Sequence, residues 1–162
     1  ITFVDHFLHD RETLAPVAFH SILNGQEIAR LSYLNGRIFG KRFDRQEKAA
    51  KPVDLNADGP VLDGNLWGPL LAALNLEDGM QLRPQIYQYN DGLGNFVIDV
   101  TGVDTIETAD GPRDVYLVDM GFSEDRLTTY LIGKADGTEY GSRSGNFSTT
   151  RLPDCAGLDA AD

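Results

Sequence analysis

Hydrophobic positions along this chain come in short runs, and most of the runs alternate. Phe96, Ile98 and Val100 share one face, with Asp99 and Thr101 on the other, as on a strand with one face buried. The runs are rich in β-branched and aromatic residues, which suit a pleated, half-buried surface. Punctuation between them is regular: Asn24-Gly25, Asn35-Gly36, Asp58-Gly59, Asp63-Gly64, Asp78-Gly79, Asp91-Gly92, Asp110-Gly111 and Asp136-Gly137. Asx-Gly pairs tolerate the positive φ of tight hairpin turns, so they predict antiparallel neighbours.

Taken in order, strands are predicted at 1–8, 15–23, 27–34 and 37–43, the middle pair as a hairpin about Asn24-Gly25. The polar stretch 44–60, with Pro52 and Pro60, reads as loop with a short strand near 52–55. Residues 81–89 resume strand, with Pro84 marking an edge or bulge. Strands follow at 96–100 and 103–108, with Gly102 as a bulge between them. Further strands are expected at 113–122, 126–132 and 139–152. The small, acidic end 153–162 is expected to fray.

One stretch breaks the two-residue period. Leu66, Leu70 and Leu74 recur every four positions with Trp67 and Leu71 beside them, which predicts a helix of about two to three turns over 66–77. Pro69 suits a first turn, with Gly68 or Asn65 as cap. Asp78-Gly79 supplies a stop. So short a helix is unstable alone and must lie on something. The expected fold is a β-rich α+β domain over 1–152: one curved antiparallel sheet, a half-barrel of about 8–10 strands, wrapped around the helix. The start at Ile1, in what reads as mid-strand, suggests an earlier element is missing.

Composition narrows the partners. The 162 residues are enough for one domain with a core, and 41% hydrophobic and 24% charged content is ordinary for a globular protein. A net charge of −11 opposes binding to nucleic acid or anionic lipid. No apolar run approaches the roughly 20 residues of a membrane-spanning helix. A single cysteine, Cys155, excludes an internal disulfide framework.

Several segments together resemble a known family. Thr13-Leu14-Ala15-Pro16, Asp63-Gly64-Asn65, Leu70-Leu71-Ala72-Ala73-Leu74 and Glu77-Asp78-Gly79 are followed by 100–106, 108–111 and 115–119 in the order seen in a family of uncharacterised bacterial exported proteins. Members of that family read like "TLRP", "FDGN…LLRALPL…G" and "V.G.E.V.TPAG". Here Leu62 stands where that family tends to have Phe, and Asn75 where it has Pro. The resemblance implies a curved half-barrel around a helix, similar to lipoprotein carriers, and a periplasmic location after removal of a signal peptide. It implies no established activity.

Candidate chemistry is sparse. Asp54, Asn56 and Asp58, followed by Gly59, fit the oxygen-ligand spacing of a calcium loop, but position twelve is Asn65 in place of the usual Glu. His6 and His9 converge on a metal only if the chain turns between them. Gly141-Ser142-Arg143-Ser144-Gly145 has the wrong spacing for a nucleophile elbow, and no phosphate loop is present. Asn146-Phe147-Ser148 is a formal glycosylation sequon. Six basic residues (Arg37, Lys41, Arg42, Arg45, Lys48, Lys51) lie within fifteen positions. They read as a charged sheet edge, or as a mouth for an anionic ligand whose tail meets Phe39 and Phe43.

The sequence therefore predicts a non-enzymatic binding module that needs no cofactor. Its expected ligand is apolar or lipid-like, held between sheet and helix by Trp67, Leu70, Leu71, Leu74, Phe96 and Ile98, with Phe39 and Phe43 nearby. The alternative is a protein-interaction domain with a filled core.

Overall fold

The structure, a computed structural model, describes residues 1–64 and 67–152, apart from the side chain of Pro69. The expected frayed end with Cys155, the cap at Asn65, and Leu66 lie outside the described residues. Two compact units are present: one comprises residues 1–64 with 85–94, the other 67–84 with 95–152.

The first unit is built on a five-stranded antiparallel meander: β1 (Phe3–His9), β2 (Pro16–Leu23), β3 (Gln26–Leu34), β4 (Arg37–Asp44) and β5 (Ala49–Asn56). Two Asx-Gly pairs make its hairpins as predicted. Asn24 and Gly25 have φ of 48° and 78°, and Asn35 and Gly36 have 51° and 78°, the paired positive φ of a type I′ turn. Leu23 then faces Gln26, and Leu34 faces Arg37. One face of the sheet buries Phe19, Leu31, Ile38 and Val53 with Tyr87 and Tyr89. Phe19 stacks on Tyr89 at 5.6 Å between centroids.

The short strand expected near 52–55 within the stretch 44–60 is longer, spanning Ala49–Asn56. All eight residues of β5 pair with β4, from Asp44 opposite Ala49 to Arg37 opposite Asn56. Polarity concealed its extent, because β5 is an edge strand, where charged side chains and Pro52 are tolerated. The first unit also contains a small sheet of β6 (Leu62–Asp63), β8 (Gln85–Gln88) and β9 (Gly92–Asn95), with β6 parallel to β8.

The second unit carries a six-stranded sheet in the order β14-β13-β12-β11-β10-β7. Its strands are β7 (Gln81–Leu82), β10 (Val97–Thr108), β11 (Gly111–Gly121), β12 (Thr128–Gly133), β13 (Glu139–Ser144) and β14 (Phe147–Thr150). The bulge expected at Gly102 is there: the β10–β11 register shifts between Val100 and Gly102. Two predicted strands are each divided. Residues 81–89 split at Arg83-Pro84 into β7 and β8, which join different sheets; proline brings no N–H to a ladder. Residues 139–152 form a hairpin about Gly145-Asn146, with Gly145 at φ 58°.

Helix α1 is shorter than predicted, Trp67–Ala73. Past its end the chain turns locally, Leu74 N reaching Leu70 O and Leu71 O and Leu76 N reaching Leu74 O. Gly79 N then donates to Val100 O at 3.1 Å, and Val100 N to Met80 O at 2.9 Å, so the Asp78-Gly79 turn feeds β7 instead of closing the helix. The protein is thus β-rich and mainly antiparallel, with one short helix among the described residues. Fourteen strands among those residues form three sheets, in place of one sheet of 8–10.

Candidate functional site

Three loops at one end of the five-stranded sheet enclose a cleft of about 530 Å³ within the first unit. The first is the β1–β2 connection. There Asp10 Oδ1 accepts from Glu12 N, Thr13 N and the Thr13 hydroxyl at 3.1, 2.8 and 2.7 Å, winding a tight turn. These hydrogen bonds, the Thr13 hydroxyl foremost, hold the Asp10 carboxyl below the usual range. The second is the Asn35-Gly36 turn. The third is the segment after β5, tied to that turn by Ala57 N donating to Gly36 O at 2.8 Å.

The cleft walls are chiefly apolar. Leu34, Pro60, Val61 and Leu62 are its more exposed apolar lining, with Pro16 and Ile38 buried beneath them. Polar lining comes from Thr13, Tyr33, Asn35, Arg37 and Asp58. Tyr33 is the side chain that links cleft to core. Its hydroxyl donates to Asp63 Oδ2 at 3.0 Å, and Asp63 is only 3% exposed. Burial first, then the Asp63 charge, pushes the Tyr33 phenol far above its ordinary value. His9 feels the same carboxylate, but burial outweighs it and lowers the imidazole. Gly64 follows Asp63 in a tight place: a Cβ there would stand 3.0 Å from Gln88 Cβ and 3.1 Å from Tyr87 O, closer than ordinary contact. The Thr13–Pro16 and Asp63-Gly64 segments, far apart in sequence, thus meet around one cleft and the polar pair behind it.

The residues proposed from sequence are distributed differently. In the second unit, Trp67 stacks on Phe96 at 4.2 Å and 10°, and Phe96 meets Phe122 edge-on at 5.1 Å. Leu71 and Ile98 are each 1% exposed. Leu71 and Leu74 line a recess of about 460 Å³ whose wall also carries Asn75, Glu77, Lys134 and Asp136. Leu70 is half-buried on α1. The face of α1 that carries Trp67 and Leu71 is therefore packed. Phe39 and Phe43 lie in the first unit, half-buried on β4. Arg37 sits over the Phe39 ring at 5.3 Å.

The proposed calcium ligands are not wound into a loop. Asp54 and Asn56 extend along β5, and both Asp54 oxygens accept from Arg37 at 2.7 Å. Asp58 lies beyond them at the cleft rim. Among the described residues, no group of three or more His, Cys, Asp or Glu side chains is placed to hold a metal. His6 does not converge with His9; it stacks on His20 across β1–β2 at 5.9 Å.

The basic cluster is largely neutralised in place. Lys41 and Arg30 both pair with Glu27, Arg37 with Asp54, and Lys51 with Asp44 and Glu47. Sequence reasoning missed the cleft because its walls come from three separated loops. Only the recurrence of Thr13–Pro16 and Asp63-Gly64 in the resemblance hinted at it.

A sheet-built protein with an apolar cleft ringed by turns is the class these observations define. The chain belongs to the family described as Protein of unknown function (DUF3108), whose model matches residues 1–144. Comparison with curated proteins and with solved structures gives no match. No helix among the described residues is long and apolar enough to cross a membrane.

Proposed function

We propose that this chain is a non-enzymatic binding module that holds a small, largely apolar molecule in the cleft of its first unit. One observation carries the reading: a cleft of about 530 Å³ with mostly apolar walls and a few convergent polar groups, the usual form of a small-molecule site. The resemblance supports an exported, periplasmic setting and a carrier-like role. It also supports reading the six-stranded sheet as a half-barrel curled about α1.

The packing favours a site in the first unit. Trp67 stacks on Phe96 and Leu71 and Ile98 are buried, which favours a structural part for these side chains of the second unit. That same packing favours a second reading, an interaction domain with no small-molecule ligand.

Native mass spectrometry of the purified chain, followed by organic extraction, separates the two. A stoichiometric apolar mass is expected for the binding module. A bare mass, with no rise in thermal midpoint on adding decyl-chain probes, rejects it, because a ligand of the native state must raise apparent stability.

A further inference from the structure

The cleft's polar groups define the charge of what it holds. Three lining side chains carry strong donors, and each turns one or two of them toward a carboxylate. The Thr13 hydroxyl donates to Asp10 Oδ1 at 2.7 Å. The Tyr33 hydroxyl donates to Asp63 Oδ2 at 3.0 Å, leaving the phenol oxygen only lone pairs to offer. The Arg37 guanidinium engages both oxygens of Asp54 at 2.7 Å. Ala57 N, a backbone donor on the same wall, is taken by Gly36 O.

What remains on the polar side is the exposed amide of Asn35, which both donates and accepts, and the carboxylate of Asp58 at the rim. Among the described residues, Arg37 is the one cation lining the cleft, and Asp54 neutralises it. The lining is therefore rich in acceptors and negative, in a chain of net charge −11.

Resting on the binding-module reading, we infer that the cleft selects a cationic amphiphile: an apolar body bearing an ammonium group, its head at Asp58 and its body against Leu34, Pro60, Val61 and Leu62. An anionic lipid or fatty acid of the same length finds the one cation among the described lining residues, Arg37, already paired with Asp54 and meets the Asp58 carboxylate. This gives the rim the opposite polarity to the anion mouth that the basic cluster suggests from sequence.

The test compares decylammonium, decanol and decanoate, each below its micelle concentration, by calorimetric titration into the full chain. Three proteins are used: the native chain, Asp58→Lys, and Ala15→Trp, which places an indole in the cleft from an exposed loop position. Binding in the order ammonium, alcohol, carboxylate is expected, with about a five- to ten-fold spread between the first and last, as a partly exposed charge contact allows. Asp58→Lys should lose the ammonium preference and gain decanoate, while Ala15→Trp should weaken all three.

Decanoate binding as tightly as decylammonium to the native chain overturns the charge assignment and leaves the binding module standing. Decylammonium binding unchanged in Ala15→Trp shows adsorption to an acidic surface and overturns the site. Binding of none of the three removes the binding-module reading itself.

Discussion

The Tyr33 hydroxyl donates a 3.0 Å hydrogen bond to Asp63, joining β3 of the meander to the two-residue strand β6. Asp63 is 3% exposed, so its carboxylate depends on protein donors in place of water. Tyr33→Phe removes one of them while keeping the ring. We expect a loss of about 1–3 kcal/mol in urea unfolding, the cost of depriving a buried acceptor of a partner. A change below a few tenths of a kcal/mol would show that Asp63 is satisfied without Tyr33.

Trp67 and Phe96 are the corresponding pair in the second unit, stacked at 4.2 Å. Phe96→Ala should cost about 3–5 kcal/mol, as for other buried aromatics cut to alanine. A double-mutant cycle with Trp67→Leu should return a coupling of about 0.5–1.5 kcal/mol beyond area burial. Coupling near zero would mean that the rings are neighbours without a stacking contribution.

Two glycines should respond oppositely to alanine. Gly40 has φ of 143°, and a Cβ there would run into the Arg30 carbonyl oxygen across the β3–β4 pair. Gly40→Ala should therefore cost at least about 2 kcal/mol, from overpacking and backbone strain together. Gly59, on the cleft rim, has no positive φ, and an added Cβ would have nothing within 4 Å. Gly59→Ala should be neutral or stabilise by up to about 1 kcal/mol through the unfolded chain. Thermal unfolding of both variants checks the contrast.

Burial raises the carboxyl pKa of Glu139 above its ordinary value of 4.5. Above that pH the unfolded chain ionises this group before the folded one does, so its contribution to stability falls as pH rises. Glu139→Gln should raise the thermal midpoint at pH 7 and leave it nearly unchanged at pH 4. An equal shift at both values would point to packing instead of charge.

Glu27 is shifted the other way. Hydrogen bonds from Lys41 first, then Arg30, hold its carboxyl down to about 2. Its stabilising part is present above about 4.5 and is lost as pH falls toward about 2. Glu27→Gln should flatten the acid limb of a stability profile in that window. High salt should weaken the effect, because the three side chains face water.

Much of the local structure was legible because it obeys short-range chemistry. Asn24-Gly25 and Asn35-Gly36 announce their hairpins through positive φ, and Gly102 announces its bulge. Only 52–55 of β5 was legible, because the rest of an edge strand reads as loop when its side chains are polar. The Asp78-Gly79 turn was misplaced because its bonds to Val100 are long-range, and no nearby residue reports them. At the candidate site, Tyr33 looked like any aromatic on a half-buried strand, and Asp63 like one more turn acidic residue. Their pairing spans thirty positions and depends on where β6 docks.

By itself, the sequence determined an antiparallel β-rich chain with one short amphipathic helix, a strongly acidic balance and membership of a family of unknown function over residues 1–144. These follow from residue spacing, turn conformations and net charge, which act over a few neighbours or over the whole chain at once. Only the tertiary structure decided that the strands divide among three sheets, that Trp67 stacks on Phe96 while Leu71 is buried, and that a cleft opens among three turns. Those outcomes depend on which distant segments close on one another, and the periods of two and 3.6 residues that mark strands and helices carry no record of that choice.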